Sequence, residues 1–236
     1  MTVGAPDLVV PVREGPVNEQ LRYALRTWAA NLPHRKVWIV GYRPTWLRDV
    51  EHIPTVQSGT KYQNSTIAVR AACEHPDVSE RFLLMNDDFF VTQRQADMPV
   101  LHRGPVRDVE RYYAARASGK YLTGMRETRD LLVRLGHDDP MSYELHVPLP
   151  VEKSGMLEAL DIGRHLAVVH KRTLYATLAG LGGQRIEDVK VLHRSPRFAS
   201  GPFLSTMPDS FANGMVGRYL RQAYFQPSQY ETTARR

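Results

Sequence analysis

An α/β fold built on a mostly parallel sheet is predicted by three observations. Short apolar runs recur as DLVVPV at Asp7–Val12, VWIV at Val37–Val40 and FLLM at Phe82–Met85, the pattern of strands buried on both faces. Segments of helical spacing separate them, so consecutive strands need crossover connections and pair in parallel. The third run ends abruptly in Asn86-Asp87-Asp88, and open parallel sheets bind ligands beyond the carboxyl ends of their strands.

Taken in order, the first strand closes at Arg13-Glu14-Gly15-Pro16, and Asn18 is positioned to cap a helix carrying Leu21, Ala24, Leu25, Trp28 and Leu32, stopped by Pro33. Gly41 ends the second strand. Pro44–Leu47 reads as a turn, Ile53–Val56 as a short strand, Gln57–Tyr62 as a polar loop and Asn64–Glu74 as a helix with Ile67, Ala68, Ala71 and Ala72 inward. Beyond Val91 the rhythm loosens into a helix-rich C-terminal half. A loop over Gln93–Pro105 precedes a helix over Val106–Ala117, and Thr123 caps another, with Met125, Leu132 and Leu135 inward and Gly136 at its end. Tyr143–Val147 and Val189–Leu192 read as extended, and Val151–Leu160, Thr173–Leu181 and Gly214–Tyr224 as helical.

Composition bounds the function. The 236 residues are 42% hydrophobic and 24% charged, ordinary for a globular protein. The single cysteine, Cys73, excludes an intrachain disulfide framework, fits a reducing compartment and reads as a small buried apolar residue. MTVGAPDLVV has no basic stretch leading into a long apolar one, and no window reaches the length of a membrane span, so a cytoplasmic protein without a transmembrane segment is expected. The net charge of +6 favours an acidic partner: nucleic acid, an anionic membrane surface or a phosphorylated small molecule. Dispersed basic residues and the lack of a recognition helix argue against nucleic acid, which leaves a non-catalytic nucleic-acid-binding protein as an outside alternative. From Val191 onward six arginines face only Asp209 and Glu231.

Adjacent carboxylates at the end of a buried strand are costly unless a cation neutralises them. Mg²⁺ or Mn²⁺ is expected, with Asp88 as direct ligand and Asp87 acting through water or on a nucleotide. A phosphohydrolase would use the same pair with water as acceptor. His146, in a segment stiffened by Pro148 and Pro150, suits a general base or a metal ligand. Lys153 and Arg185 are candidates for phosphate contacts, and His193, His165 and His170 are further imidazoles, of which His193 is taken as a metal candidate. Val12, Arg13, Tyr42 and Arg43 lie at strand ends where a nucleotide would bind. Asp138-Asp139-Pro140 reads as a turn.

NEQLRYALRTWAANLPHRKVWIVG, then PTWL at Pro44–Leu47, YQNSTIAV at Tyr62–Val69 and SERFLLMNDDFF resemble, in order, the second conserved region of the Stealth sugar-phosphate transferases over residues 18–91. LHVPLPVEK and RIEDV at Arg185–Val189 are similar to that family's later histidine and R-x-x-D patterns. The resemblance implies active-site roles for His146, Lys153, Arg185 and Asp188, and brings Asn64 and Asn86 into the nucleotide-binding set. DLVVPVREG stands where the family carries Y-T-W-V-D-G. That opening, the NDD motif and the closing PSQYE also resemble short bacterial and phage proteins regarded as GT-A-type glycosyltransferases. Both resemblances imply one GT-A-like, Rossmann-like catalytic domain over residues 1–236, with a nucleotide-binding half at 1–105 and an acceptor-side half at 106–236. They leave two reactions open. A metal-dependent glycosyltransferase would move a sugar from a nucleotide-sugar donor to a hydroxyl on a glycan or protein. A Stealth-type enzyme would move sugar-1-phosphate and release nucleoside monophosphate.

Overall fold

The computed structural model describes residues 4–115, 119–194 and 197–232. Its first half runs through β1 (Asp7–Val12), α1 (Glu19–Asn31), β2 (Val37–Gly41), β3 (Glu51–Ile53), α2 (Lys61–Glu74), β4 (Arg81–Leu84), β5 (Phe89–Val91) and β6 (Leu101–His102). There follow α3 (Val106–Ala114), α4 (Lys120–Arg134), β7 (Leu149–Glu152), α5 (Lys153–Ile162), α6 (Lys171–Leu178), β8 (Gln184–Arg185), β9 (Lys190–Val191), β10 (Phe203–Thr206), α7 (Pro208–Asn213) and α8 (Met215–Ala223). No helix among the described residues is long and apolar enough to cross a membrane.

The central sheet has the order β3-β2-β1-β4-β7. The first four strands are parallel, with Leu8 opposite Val37 and Asp7 opposite Phe82. Strand β7 closes the edge antiparallel, with Leu149 opposite Leu84 and Glu152 opposite Arg81. This is the mainly parallel, helix-flanked α/β sheet that the apolar runs predicted. The pleat splits β1 between two cores. Leu8, Val10 and Val12 pack with Leu21, Trp28, Phe90 and Leu220, while Val9 packs with Trp38, Val69, Phe82 and Leu174. Both cores mix residues from before and after position 105, so the two halves expected from the sequence share their interiors. Cys73 is buried as expected, and burial pushes its thiol up to about 12.

Several boundaries differ from expectation for identifiable reasons. Helix α2 starts before Asn64 because Thr60 and Gln63 form a reciprocal capping box. Ile67 is exposed, and Val69 and Cys73 take its place on the buried face. Asn18 sits in the left-handed region at φ 48° and caps nothing with its side chain, which donates to Arg13 O at 2.9 Å. Thr123 lies inside α4. Residues Tyr143–Val147 form no strand, because side chains satisfy their backbone: Thr173 Oγ1 accepts from Tyr143 N at 3.1 Å, and the Arg172 guanidinium donates to Tyr143 O and Val147 O. The helix expected from Val151 starts at Lys153, since antiparallel pairing with β4 claims Val151 and Glu152. The expected end of α3 at Ala117 lies outside the described residues.

Helix α1 anchors the segment that follows the acidic turn. Trp28 Nε1 donates to Phe89 O at 2.8 Å, Asn31 Nδ2 to Val91 O at 2.8 Å, and Val91 N donates to Thr27 Oγ1 at 3.1 Å. The same helix is clamped from the C-terminal side. Glu231, 1% exposed, accepts from Arg26 Nε and Nη2, both at 2.7 Å, and from Ser228 N at 2.9 Å. Burial opposes charge on this carboxyl, but the Arg26 bonds outweigh it and hold the group below its ordinary value of 4.5. Asp7, also buried, is held low against burial by Arg35, Ser79 N and Trp38. Depressed folded values mean that the unfolded chain binds more protons as pH falls. Both carboxylates therefore stabilise the fold above their unfolded values, and the contribution is lost in acid. Glu231→Ala leaves the nearly buried Arg26 unpaired and is expected to cost about 3–5 kcal/mol in urea unfolding at neutral pH, shrinking toward acid.

Candidate active site

The acidic turn stands at the carboxyl edge of the parallel sheet. Met85 N still donates to Val9 O at 2.9 Å, and Phe89 N then closes a turn onto Asn86 O at 3.2 Å. Within that turn Asn86 is exposed, Asp87 half-buried and Asp88 buried. Asp88 faces the second sheet, β5-β10-β9, where Ser205 pairs with both Phe89 and Lys190. That register delivers Lys190 Nζ at 2.8 Å and Ser205 Oγ at 2.9 Å to Asp88 Oδ2. Asp87 makes no ion pair among the described residues. Burial, and then the neighbouring Asp88 charge, push its carboxyl up to about 6, against the pull of Arg13 and Lys190.

The donor set fits a divalent cation of a particular kind. Asp87 and the second oxygen of Asp88 would offer hard oxygen donors, and sites that handle phosphates complete the shell with phosphate oxygens and water. The described residues contain no group of three or more histidine, cysteine or acidic side chains that could form a fully protein-built site. His193, expected as a further ligand, is exposed just past β9 and makes no bond to either carboxylate. Strand β9 ends at Val191, so the register that turns Lys190 toward Asp88 does not extend to His193.

His146 reaches the same edge by another route. Because β7 is antiparallel to β4, the residues that enter β7 lie beside the end of β4. His146 Nδ1 sits 2.9 and 3.0 Å from the two Asp188 oxygens, and the ring meets Phe89 edge-on at 6.2 Å. Asp188 lies on the strap between β8 and β9, with Arg103 Nη1 3.4 Å from its Oδ2. Burial raises the Asp188 carboxyl, but the His146 bond and charge, with Arg103, hold it below its ordinary value. An ionised Asp188 accepts a hydrogen bond from Nδ1–H, which keeps the proton on Nδ1 and leaves Nε2 as the basic nitrogen. Arg103 is fixed in turn by Tyr113 OH at 3.1 Å. A cavity of about 420 Å³ opens beside this group, lined by Arg103, Tyr112, Tyr113, His146, Arg185, Asp188 and Lys190.

Other expected residues fall into place or out of it. Arg185 lines the cavity and packs on Gly104, whose φ of +95° and lack of a side chain leave room for the guanidinium. Val12, Arg13, Tyr42 and Arg43 end or follow β1 and β2 at the same edge as Asp87. Lys153 does not belong to the site: it begins α5 at the opposite edge, buried, with Nζ donating to His75 O at 2.6 Å. Asn64 has its amide engaged in both directions by Gly59, at 3.0 and 3.1 Å, and braces the loop before α2. His170 is buried against Tyr121 O at 3.0 Å, and His165 is exposed. Sequence reasoning missed Lys190, Ser205, Arg103 and Arg172. Lys190 was readable, two residues after Asp188 on an extended segment. Ser205 and Arg103 come from distant strands and carry no local signal. Arg172 sits 5.4 Å over the Phe89 ring, its guanidinium pushed down to about 10 by burial, with Glu144 opposing.

The fold and site thus define a mainly parallel α/β protein with an acidic turn, an imidazole–carboxylate pair and an arginine-lined cavity on one sheet edge. No family model matches this chain, and no curated protein matches it significantly. Among solved structures it is similar to the glycosyltransferase GlyE of Streptococcus pneumoniae TIGR4, at 8% identity and a TM-score of 0.39, over 94% of this chain and 50% of that one. The chain therefore spans about half the length of that relative, and a likeness at this level defines no reaction.

Proposed function

We propose that this chain is a glycosyltransferase, acting as one GT-A-like catalytic domain, that moves a sugar from a nucleotide-sugar donor to an acceptor hydroxyl on a glycan or protein. The observation that carries the reading is the His146–Asp188 pair opening onto a cavity that also reaches Lys190, the partner of Asp88. A base for the acceptor and charge for the leaving group are thereby adjacent.

His146 Nε2 takes the proton of the acceptor hydroxyl, whose oxygen forms the new bond to the anomeric carbon. The bond from that carbon to the donor phosphate breaks, and its electron pair leaves with the nucleoside diphosphate. Direct displacement of this kind inverts the anomeric centre. Lys190 and Arg185 offset charge on the departing phosphate, and Arg103 keeps Asp188 ionised. Asp87 and the free oxygen of Asp88 suit Mg²⁺ or Mn²⁺, which when bound supplies positive charge to the diphosphate. Arg13, Tyr42, Arg43 and Asn86 are the nucleotide side.

Arg103 and Arg185, both cationic and both on the His146 cavity, favour a second reading in which the migrating group is a sugar-1-phosphate. Incubation with Mn²⁺ and a panel of nucleotide sugars separates the two. Glycosyl transfer is expected to release nucleoside diphosphate, resolved by ion-exchange chromatography. Monophosphate instead would assign phosphosugar transfer, and a folded protein that binds no nucleotide with or without Mn²⁺ would sink both.

A further inference from the structure

Residues 190–225 hold five lysines and arginines against one acidic residue, Asp209. The same stretch exposes Leu192, Met207, Met215 and Tyr219 by 49%, 41%, 40% and 38%. The segments that carry them lie together. Met207 N donates to Val191 O at 3.1 Å, which sets Met207 beside Leu192. Gly214, just before Met215, packs so closely on Arg194 that a methyl group there would lie 3.2 Å from the Arg194 Cα. Met215 and Tyr219 are one turn apart on α8, and the Tyr219 ring meets Phe198 at 5.5 Å.

Burial of Val216, Gly217 and Leu220 fixes which side of α8 points outward. That outward side presents Met215, Arg218 and Tyr219, and Arg218 makes no ion pair among the described residues. Asp209 is engaged by Arg194 at 2.6 Å and Lys190 by Asp88 at 2.8 Å, which leaves Arg218 and Arg221, neither in an ion pair among the described residues, to carry the positive excess of this face.

Cations interleaved with large apolar side chains suit one kind of surface. Lipid phosphates take the guanidinium groups, while methionine, leucine and tyrosine enter the boundary between headgroups and acyl chains. A nucleic acid would use the cations but leave the aliphatic groups in water. Leu192 belongs to this face and also lines the cavity of His146 and Asp188. We propose that this face docks on an anionic membrane surface, with the mouth of the cavity beside the bilayer. Resting on the glycosyl-transfer reading, the acceptor hydroxyl is then that of a glycan carried on a lipid.

Vesicle flotation of the whole chain tests the docking without any turnover. Vesicles of phosphatidylcholine containing roughly one-third phosphatidylglycerol are expected to bind at least about tenfold more protein than phosphatidylcholine alone, and high salt is expected to weaken that binding. A Met215→Glu, Tyr219→Glu double variant is expected to lose about tenfold in vesicle binding while its circular dichroism and nucleoside diphosphate binding stay unchanged. Equal binding to both vesicles, none to either, or no effect of the double variant in a folded protein would overturn the docking. Vesicle binding in a protein that releases no nucleotide would overturn the reaction and leave the docking in place.

Discussion

Replacing His146 with alanine is expected to lower turnover by about 10²- to 10⁴-fold, the range of a positioned general base, while the affinity for nucleoside diphosphate stays within about twofold. The asymmetry follows from geometry: His146 lines the cavity from the entry to β7, whereas the proposed nucleotide side lies at the ends of β1 and β2. Asp188→Asn should act through the histidine. An amide preserves shape but no longer stabilises the Nδ1 proton, so the turnover loss should approach that of His146→Ala with little change in the acceptor KM. Parallel falls in kcat and nucleotide affinity would instead mark His146 as a structural or donor-binding residue.

Asp88→Asn is expected to weaken Mn²⁺-dependent nucleoside diphosphate binding by at least about tenfold, roughly 1.4 kcal/mol, in isothermal titration. Two effects combine. The change removes a hard oxygen ligand, and it strips Lys190 of its 2.8 Å counter-charge in a partly buried setting. Lys190→Met separates them. It leaves the carboxylates in place, so it should spare Mn²⁺-dependent binding more than Asp88→Asn does, yet still slow release of the leaving group. Unchanged binding in Asp88→Asn would remove the acidic turn from the donor site.

Much of the fold was legible because its signals are local. Three apolar strands with helices between them can be arranged in few ways, and an acidic turn at the end of one of them falls at the ligand edge of the sheet. The motif pieces in α1, β5 and the closing PSQYE also gain physical reasons. Trp28 and Asn31 hold β5, and Glu231 holds Arg26. What misled was equally local. Lys153 sits near His146 in sequence, but the four residues of β7 carry it to the far edge of the sheet. Asn64 stands in a motif, yet its amide is engaged by Gly59.

By itself the sequence determined the parallel α/β sheet, the place of Asp87 and Asp88 at its carboxyl edge, and His146 and Arg185 as residues worth weighing, while Asp188 entered through the motif resemblance. Periodicity and strand endings are written in neighbouring residues, so one chain suffices to read them. Only the tertiary structure decided that Asp188 binds His146 across 42 residues and that Lys190 and Ser205 reach Asp88 across 102 and 117. It likewise decided that Lys153 and His193 stand apart from the acidic turn. Those pairings depend on the antiparallel entry of β7 and on the register of β10 against β5 and β9, and register is set by how the whole core packs.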